Sequence, residues 1–390
     1  MIFHRIRASA CRRPAGFSLI ELLVALAIGL IGAVAIMQVY IGGETGKRVT
    51  GSLGEAQSGA LIALYQIERE VQRAGLGFLS VSALGCNIRS NLGSALNNRF
   101  LQPVSIVPAG AGIGHFANHW GIPPGDPGAD MLVVVAGDGG TLVEGSRLAL
   151  AAPAGTTLLR LGTAQGIAAG DFLLVSESGQ DCTLARATAP PALSGEVSID
   201  HATVTAYTDQ AMVMHLGAVP VFAVYAVRGG VLTRCDFGVS NCADAGLAAN
   251  PAVWTPVAND VVALVAQYGF DTTAIPDGIV DVFCKDRVAA GGACPSPDTG
   301  LGAAPGADPS QPVRACDWTR MPIVQLAVVT RSGQAEREPV SPPALQLWPD
   351  TNVAPTTTGP LWNVPDQNFR YRVARGATAL RNVIWRGAGC

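Results

Sequence analysis

From Phe17 to Ile41 the chain runs for 25 residues with a single charge, Glu21. No other feature constrains the molecule as much. As an α-helix rising about 1.5 Å per residue, this run reaches roughly 37 Å, enough to cross a bilayer core of about 30 Å. Residues 1–16 carry Arg5, Arg7, Arg12 and Arg13 and no acid. Cations ahead of an apolar span stay in the cytoplasm, so the rest of the chain is expected outside. An ordinary secretory signal would show an apolar core of about 7–15 residues followed by a small-x-small cleavage site. Here the run is longer, and the small residues Ala15 and Gly16 come before it. A plain membrane anchor leaves Glu21 unexplained, because an acid inside lipid costs on the order of a few kcal/mol and calls for a partner.

Cysteine usage points to the same side of the membrane. Of nine cysteines, Cys11 precedes the apolar run, leaving Cys86, Cys182, Cys235, Cys242, Cys284, Cys294, Cys316 and Cys390. No CxxC occurs, and no His stands at zinc-like spacing from a Cys. An even number without metal spacing favours disulfides in an oxidising compartment, with buried free thiols as the alternative. Cys235 and Cys242 are close enough in sequence to close a small loop, while Cys284, Cys294 and Cys316 flank a Pro/Gly-rich stretch at 291–312. Only 14% of residues are charged and the net charge is −3, which gives no basic footprint for nucleic acid. With 46 Gly and 26 Pro among runs of Val, Ala and Leu, the bulk of the chain reads as a loop-rich β protein.

Gly42, Gly43 and Gly46 interrupt the helical pattern and predict a local break or bend. The pattern then resumes as a stripe of Leu53, Ala56, Ala60, Leu64, Ile67, Val71 and Ala74, spaced by three or four, with Gly75 as the expected C-cap. A coiled-coil stalk would need a longer sustained heptad. Strands are expected at Met131–Ala136, Leu158–Leu161, Phe172–Val175, Val197–Thr205, Val219–Val227, Val231–Arg234, Val261–Tyr268, Ile323–Thr330 and Phe369–Val373. Arg228-Gly229-Gly230 marks a hairpin. The expected fold is α+β, an antiparallel sheet packed on the helix, with a β-rich insertion at about 110–215.

The stretch GFSLIELLVALAIG, residues 16–29, resembles the class III signal of type IV prepilins. In that family a dedicated peptidase cuts after the glycine on the cytoplasmic face and methylates the new N-terminus. The resemblance implies that Gly16 precedes the cut, Phe17 becomes the methylated N-terminus and Glu21 is the fifth mature residue. In a bundle of parallel helices the Glu21 carboxylate can then meet a neighbour's Phe17 ammonium, so that each costly charge compensates the other. The segments VFAVYAVRGGVLTRCDF, VANDVVALVAQYGFDTTAIPDGIVDVF, MPIVQLAVVTRSG and YRVARGATALRNVIWR are similar to those of the PilW family of large minor pilins. That resemblance covers roughly residues 12–90 and 215–388. It implies a leader at 1–16, a membrane and filament-core helix at 17–41, its amphipathic continuation at 42–75 and a periplasmic pilin domain at 76–390.

The function implied is that of a minor pilin that primes type IV pilus assembly and then sits at the tip. Its expected partners are other minor pilins, the major pilin, a tip adhesin, the prepilin peptidase and the inner-membrane assembly platform. A J-type pseudopilin of type II secretion is the alternative within the same class, and a membrane-anchored periplasmic binding protein or enzyme the alternative outside it. The expected location is the inner membrane, single-pass with the N-terminus in the cytoplasm, and later the pilus tip.

Catalytic signals are absent: the chain has no GxSxG, HExxH, Walker A sequence or GxGxxG after a strand. No enzyme activity and no cofactor are expected. His115 and His119 stand four apart, as metal ligands on a helix can, but in a Gly/Pro-rich setting that favours loop histidines. Asp271, Asp277 and Asp281 surround Gly278 and are candidates for calcium, against the plainer reading of a solvated turn.

Overall fold

The computed structural model describes residues 16, 18–78, 83–90, 95–113, 118–138, 145–273, 277–285, 318, 320–348 and 361–384; for 41–50, 52, 53 and 55 it describes the backbone only. The chain forms two compact units, residues 1–52 and 53–390. Helix α1 spans Leu19–Arg73. Its N-terminus is capped by Ser18, whose hydroxyl accepts the Ile20 N–H at 3.2 Å. Leu19–Tyr40 is long and apolar enough to cross a membrane, and none of it is buried.

A break or bend was expected at Gly42, Gly43 and Gly46; the backbone stays helical through all three, so the helix is not broken there. Each interior glycine costs only about 1 kcal/mol, and a helix already nucleated on both sides of the triplet absorbs that.

In the second unit the predicted stripe is the buried one. Ala56, Ala60, Leu64, Ile67, Val71 and Ala74 are all buried, as is Ala63 beside them. Gly75 follows with φ of +81°, a left-handed C-cap, and its N–H donates to the Val135 carbonyl at 2.9 Å.

Nineteen described strands follow. In chain order they are β1 Asn87–Ser90, β2 Arg99–Phe100, β3 Val104–Val107, β4 Met131–Ala136, β5 Ser146–Arg147, β6 Leu158–Arg160, β7 Phe172–Ser176, β8 Cys182–Arg186, β9 Glu196–Ser198 and β10 Met212–Gly217. Then come β11 Val221–Arg228, β12 Val231–Asp236, β13 Thr255–Asn259, β14 Val261–Phe270, β15 Val282–Cys284, β16 Ile323–Arg331, β17 Ala344–Gln346, β18 Leu361–Asn363 and β19 Tyr371–Ala379. They build a four-stranded sheet β15-β14-β16-β19, a five-stranded sheet β13-β12-β11-β4-β3, a six-stranded sheet β2-β1-β8-β7-β10-β5, and the pairs β17-β18 and β6-β9. Within them β1 and β8 are the parallel neighbours; the other pairings are antiparallel.

Alternation along the strands sorts the layers. On β4, Leu132 and Val134 join α1 and the four-stranded sheet in one core, whereas Met131, Val133 and Val135 face the six-stranded sheet in a second. A strand covered on both faces must be apolar throughout, which is why MLVVVA carries no polar residue. On β7, Leu174 belongs to that second core, and Leu173 and Val175 to a third that β6 and β9 close. Trp348 and Trp362, at the β17-β18 pair, cover the far face of the four-stranded sheet over Val265, Ala327 and Val329.

These pairings redraw the insertion. The span 110–215 is not a separable piece, because β4 lies inside it and pairs with β11 from Val221↔Ala136 to Tyr225↔Leu132. The added β material reaches outward from that point, on the six-stranded sheet that also recruits β1 and β2. The strand expected at Val197–Thr205 is only Glu196–Ser198. Beyond it Asp200 and Thr203 hold loop carbonyls and amides instead of a ladder. The hairpin at Gly229-Gly230 is present, and the Asp126 carboxylate accepts both glycine N–H groups at 2.9 and 2.7 Å.

Candidate processing and assembly site

The junction at Gly16 comes before the helix begins. Residues 1–15 and Phe17 lie outside the described residues, so the leader arginines and the Phe17 side chain are not placed. Gly16 itself is exposed, and a Cβ built on it meets nothing within 4 Å. Nothing in the described fold therefore requires glycine at this position.

Glu21 sits in the first turn of α1, exposed and without an ion pair among the described residues. Ser18-Leu19-Ile20-Glu21 has the S-x-x-E spacing of a capping box, which supplies a local use for an acid at this position. The sequence reading missed this use, although the spacing was legible.

The helix end is tied by a residue from far downstream. Asn382 Nδ2 donates to the carbonyls of Arg73 at 3.2 Å and Ala74 at 3.0 Å, in the RNVI segment near the C-terminus. Leu380 and Val383 beside it are buried in the helix–sheet core. The crossing of α1 over β19 is close: a Cβ at Gly376 would fall 1.7 Å from Glu68 Oε1. Burial raises the Glu68 pKa, and a hydrogen bond with Thr378 on β19 partly opposes that. Arg234 on β12 reaches back to the helix as well, donating to Glu70 at 3.0 Å.

The cysteines form covalent ties. Cys235 and Cys242 are bonded, with Cα atoms 5.9 Å apart. Cys86 and Cys182 are bonded across 96 residues, joining the starts of β1 and β8. Cys284 is disulfide-bonded. Cys294, Cys316 and Cys390 lie outside the described residues.

Of the weaker candidates, the described residues each have local partners. His115 lies outside the described residues. His119 is partly buried, its Nε2 out of solvent, and its ring packs edge-on to Phe100 at 5.6 Å. Desolvation pushes its pKa down to about 3; a hydrogen bond with the Phe100 backbone opposes this and the nearby Arg99 charge adds to it. Asp271 is buried and takes the Thr273 N–H at 3.1 Å and the Gly278 N–H at 2.7 Å. Burial would raise its pKa, but the hydrogen bond from the Thr273 hydroxyl, followed by those from the backbone amides, outweighs that and lowers it. Asp281 accepts from the Thr272 N–H at 2.7 Å and its hydroxyl at 2.8 Å, and Asp277 from the Ile279 N–H at 2.8 Å. The three carboxylates hold the β14–β15 turn together, each through its own amides. Among the described residues no three His, Cys, Asp or Glu side chains converge as a metal site.

The family model of the prokaryotic N-terminal methylation motif matches residues 11–37. No curated protein and no solved structure matches the chain. The matched residues contain the Gly16–Phe17 junction and Glu21, so the chain carries a prepilin-like N-terminus. The motif supports a pilin or pseudopilin processed by a prepilin peptidase.

Proposed function

We propose that the chain is a minor pilin of the PilW kind, which helps start type IV pilus assembly and then occupies the tip. One observation carries this reading. Gly16, Phe17 and Glu21 lie within the match to the methylation motif at residues 11–37, behind basic residues and at the start of an exposed apolar helix. The peptidase cuts after Gly16 in the cytoplasm and methylates the Phe17 α-amino group. Glu21 then enters the helix bundle of the growing filament, where its carboxylate meets a neighbour's N-terminal ammonium. The large β domain supports a tip position over a shaft position: three sheets with several cores would crowd a tightly repeating lattice. The disulfides fit folding in the periplasm. The role is mechanical rather than catalytic, and needs no cofactor.

Mass spectrometry of the mature chain tests the processing step. The expected N-terminus is methylated Phe17, and replacing Gly16 by a bulky residue should leave the leader attached. A mature N-terminus beyond Ile41 would mean an ordinary signal peptide. Recovery of the protein in sheared pili, with normal type II secretion when it is deleted, separates the minor pilin from a J-type pseudopilin.

A further inference from the structure

The carbonyl that a prepilin peptidase attacks belongs to Gly16, and α1 begins close behind it, at Leu19. Ser18 stops the helix there. Its carbonyl accepts the Leu22 N–H at 3.1 Å, the first bond of the ladder, and its hydroxyl accepts the Ile20 N–H at 3.2 Å. A residue whose carbonyl starts the ladder and whose side chain takes the second helical N–H is an N-cap, and serine is among the best residues for that position. Both Gly16 and Ser18 are exposed and stand outside the helix.

Which donor Ser18 takes matters for the cut. In a continuous α-helix the N–H of one residue donates to the carbonyl four residues back, so the Ile20 N–H would seek the carbonyl of Gly16. Ser18 Oγ holds that donor instead. The glycine does not by itself prevent such a bond. Extending the helix backward by two residues asks only Phe17 and Ser18 to take helical dihedrals, because the capping residue contributes its carbonyl and keeps non-helical ones.

A carbonyl drawn into the ladder is withdrawn from hydrolysis. The reaction adds a water oxygen to the Gly16 carbonyl carbon and breaks the bond to the Phe17 nitrogen. It leaves a carboxylate on the leader and an ammonium on the mature chain. The carbonyl oxygen has to be free for donors aimed at the tetrahedral intermediate, and a bond from Ile20 would occupy it. A substrate whose competent form is only a fraction of the population loses apparent affinity by that fraction.

We propose that Ser18 is a positioning residue for leader removal: by holding the Ile20 N–H it keeps the Gly16 carbonyl out of α1 and open to the peptidase. This role rests on the reading of the chain as a prepilin. It differs from a contact between the hydroxyl and the enzyme, because any good N-cap serves it equally.

The test uses the full chain in mixed detergent–phospholipid micelles with a purified prepilin peptidase, leader loss being followed by mass spectrometry. Ser18→Ala removes the cap and puts a strong helix former in its place. Its kcat/KM should fall about fivefold, carried by a higher KM with kcat unchanged. Ser18→Asn caps as well as serine without a hydroxyl, and Ser18→Gly caps nearly as well, so both should stay within about twofold of wild type. Wild type left uncut at Gly16 overturns the prepilin reading and this role with it. If wild type is cut and Ser18→Ala is cut equally well, the role of Ser18 alone is overturned. The same holds if Ser18→Asn and Ser18→Gly lose as much as Ser18→Ala, for then the peptidase reads the hydroxyl itself.

Discussion

The capping-box spacing and the proposed ion pair assign Glu21 two different uses, and they can be separated by one atom's worth of chemistry. As the acid of a capping box it would favour the first turn of α1 by about 0.3–1 kcal/mol, and glutamine can serve a capping box too. As one half of an ion pair with a neighbour's N-terminus it has to carry charge. Glu21→Gln should therefore keep the helix start, survive cleavage at Gly16, insert in the membrane at least as well as wild type, and still fail to enter filaments. Glu21→Ala should fail in the same way. Immunoblots of sheared filaments and counts of surface pili check both, and normal incorporation of the glutamine variant would remove the charge from the explanation. His119 makes a different residue-scale statement. Its pKa falls from the ordinary 6.5 to about 3 in the folded protein, so the unfolded chain binds more protons between those values. Stability contributed by the neutral ring is complete above pH 6.5 and declines as the pH falls toward 3. His119→Phe should flatten the denaturant midpoint across that window, and an unchanged pH slope would count against the assignment.

At the scale of elements, the contact between α1 and β19 decides how the second unit closes. A methyl at Gly376 meets the far end of the flexible Glu68 side chain, which can swing aside but gives up its hydrogen bond with Thr378, so Gly376→Ala should cost at most about 1 kcal/mol. If the clash is the cause, Glu68→Ala should recover part of the loss, and urea unfolding of the two single variants and the double variant should show coupling rather than simple addition. Asn382→Ala removes the amide that holds the last helix carbonyls and should cost about 1–2 kcal/mol by the same measurement. Much of what flanks this contact was readable in advance. The stripe from Ala56 to Ala74 is a local periodicity, and β4, β7, β11, β14 and β16 announce themselves as apolar runs between turns. β8 and β10 were missed. CTLAR and MVMHLG are too short and too mixed to stand out, and they become strands through their neighbours in the six-stranded sheet. Asn382 was likewise hidden: a cap supplied from 308 residues away leaves no local signal. The Gly16–Phe17–Glu21 register was legible because a linear motif is local in sequence, whereas Arg89 and His201 come near each other only after two distant loops meet.

For the whole molecule, the six-stranded sheet carries a long-range covalent closure. It depends on β1 lying parallel to β8, a pairing between segments nearly a hundred residues apart, with no α-helix among the described residues between them. The Cys86–Cys182 bond fixes that long-range contact in advance, and loop-closure entropy assigns it about 4.7 kcal/mol against about 2.5 kcal/mol for the short Cys235–Cys242 loop. Both values require an oxidising compartment, so the ordering also bears on where the domain folds. The paired replacement Cys86→Ala with Cys182→Ala should lower the urea midpoint of the full chain more than Cys235→Ala with Cys242→Ala. Protease nicking should then begin in the six-stranded sheet, around residues 145–213, while β14, β16 and β19 stay protected under α1. Equal midpoints for the two double variants, or first cleavage within β14–β19, would show that the sheet is held by its apolar layers alone and that the long disulfide is dispensable to the fold.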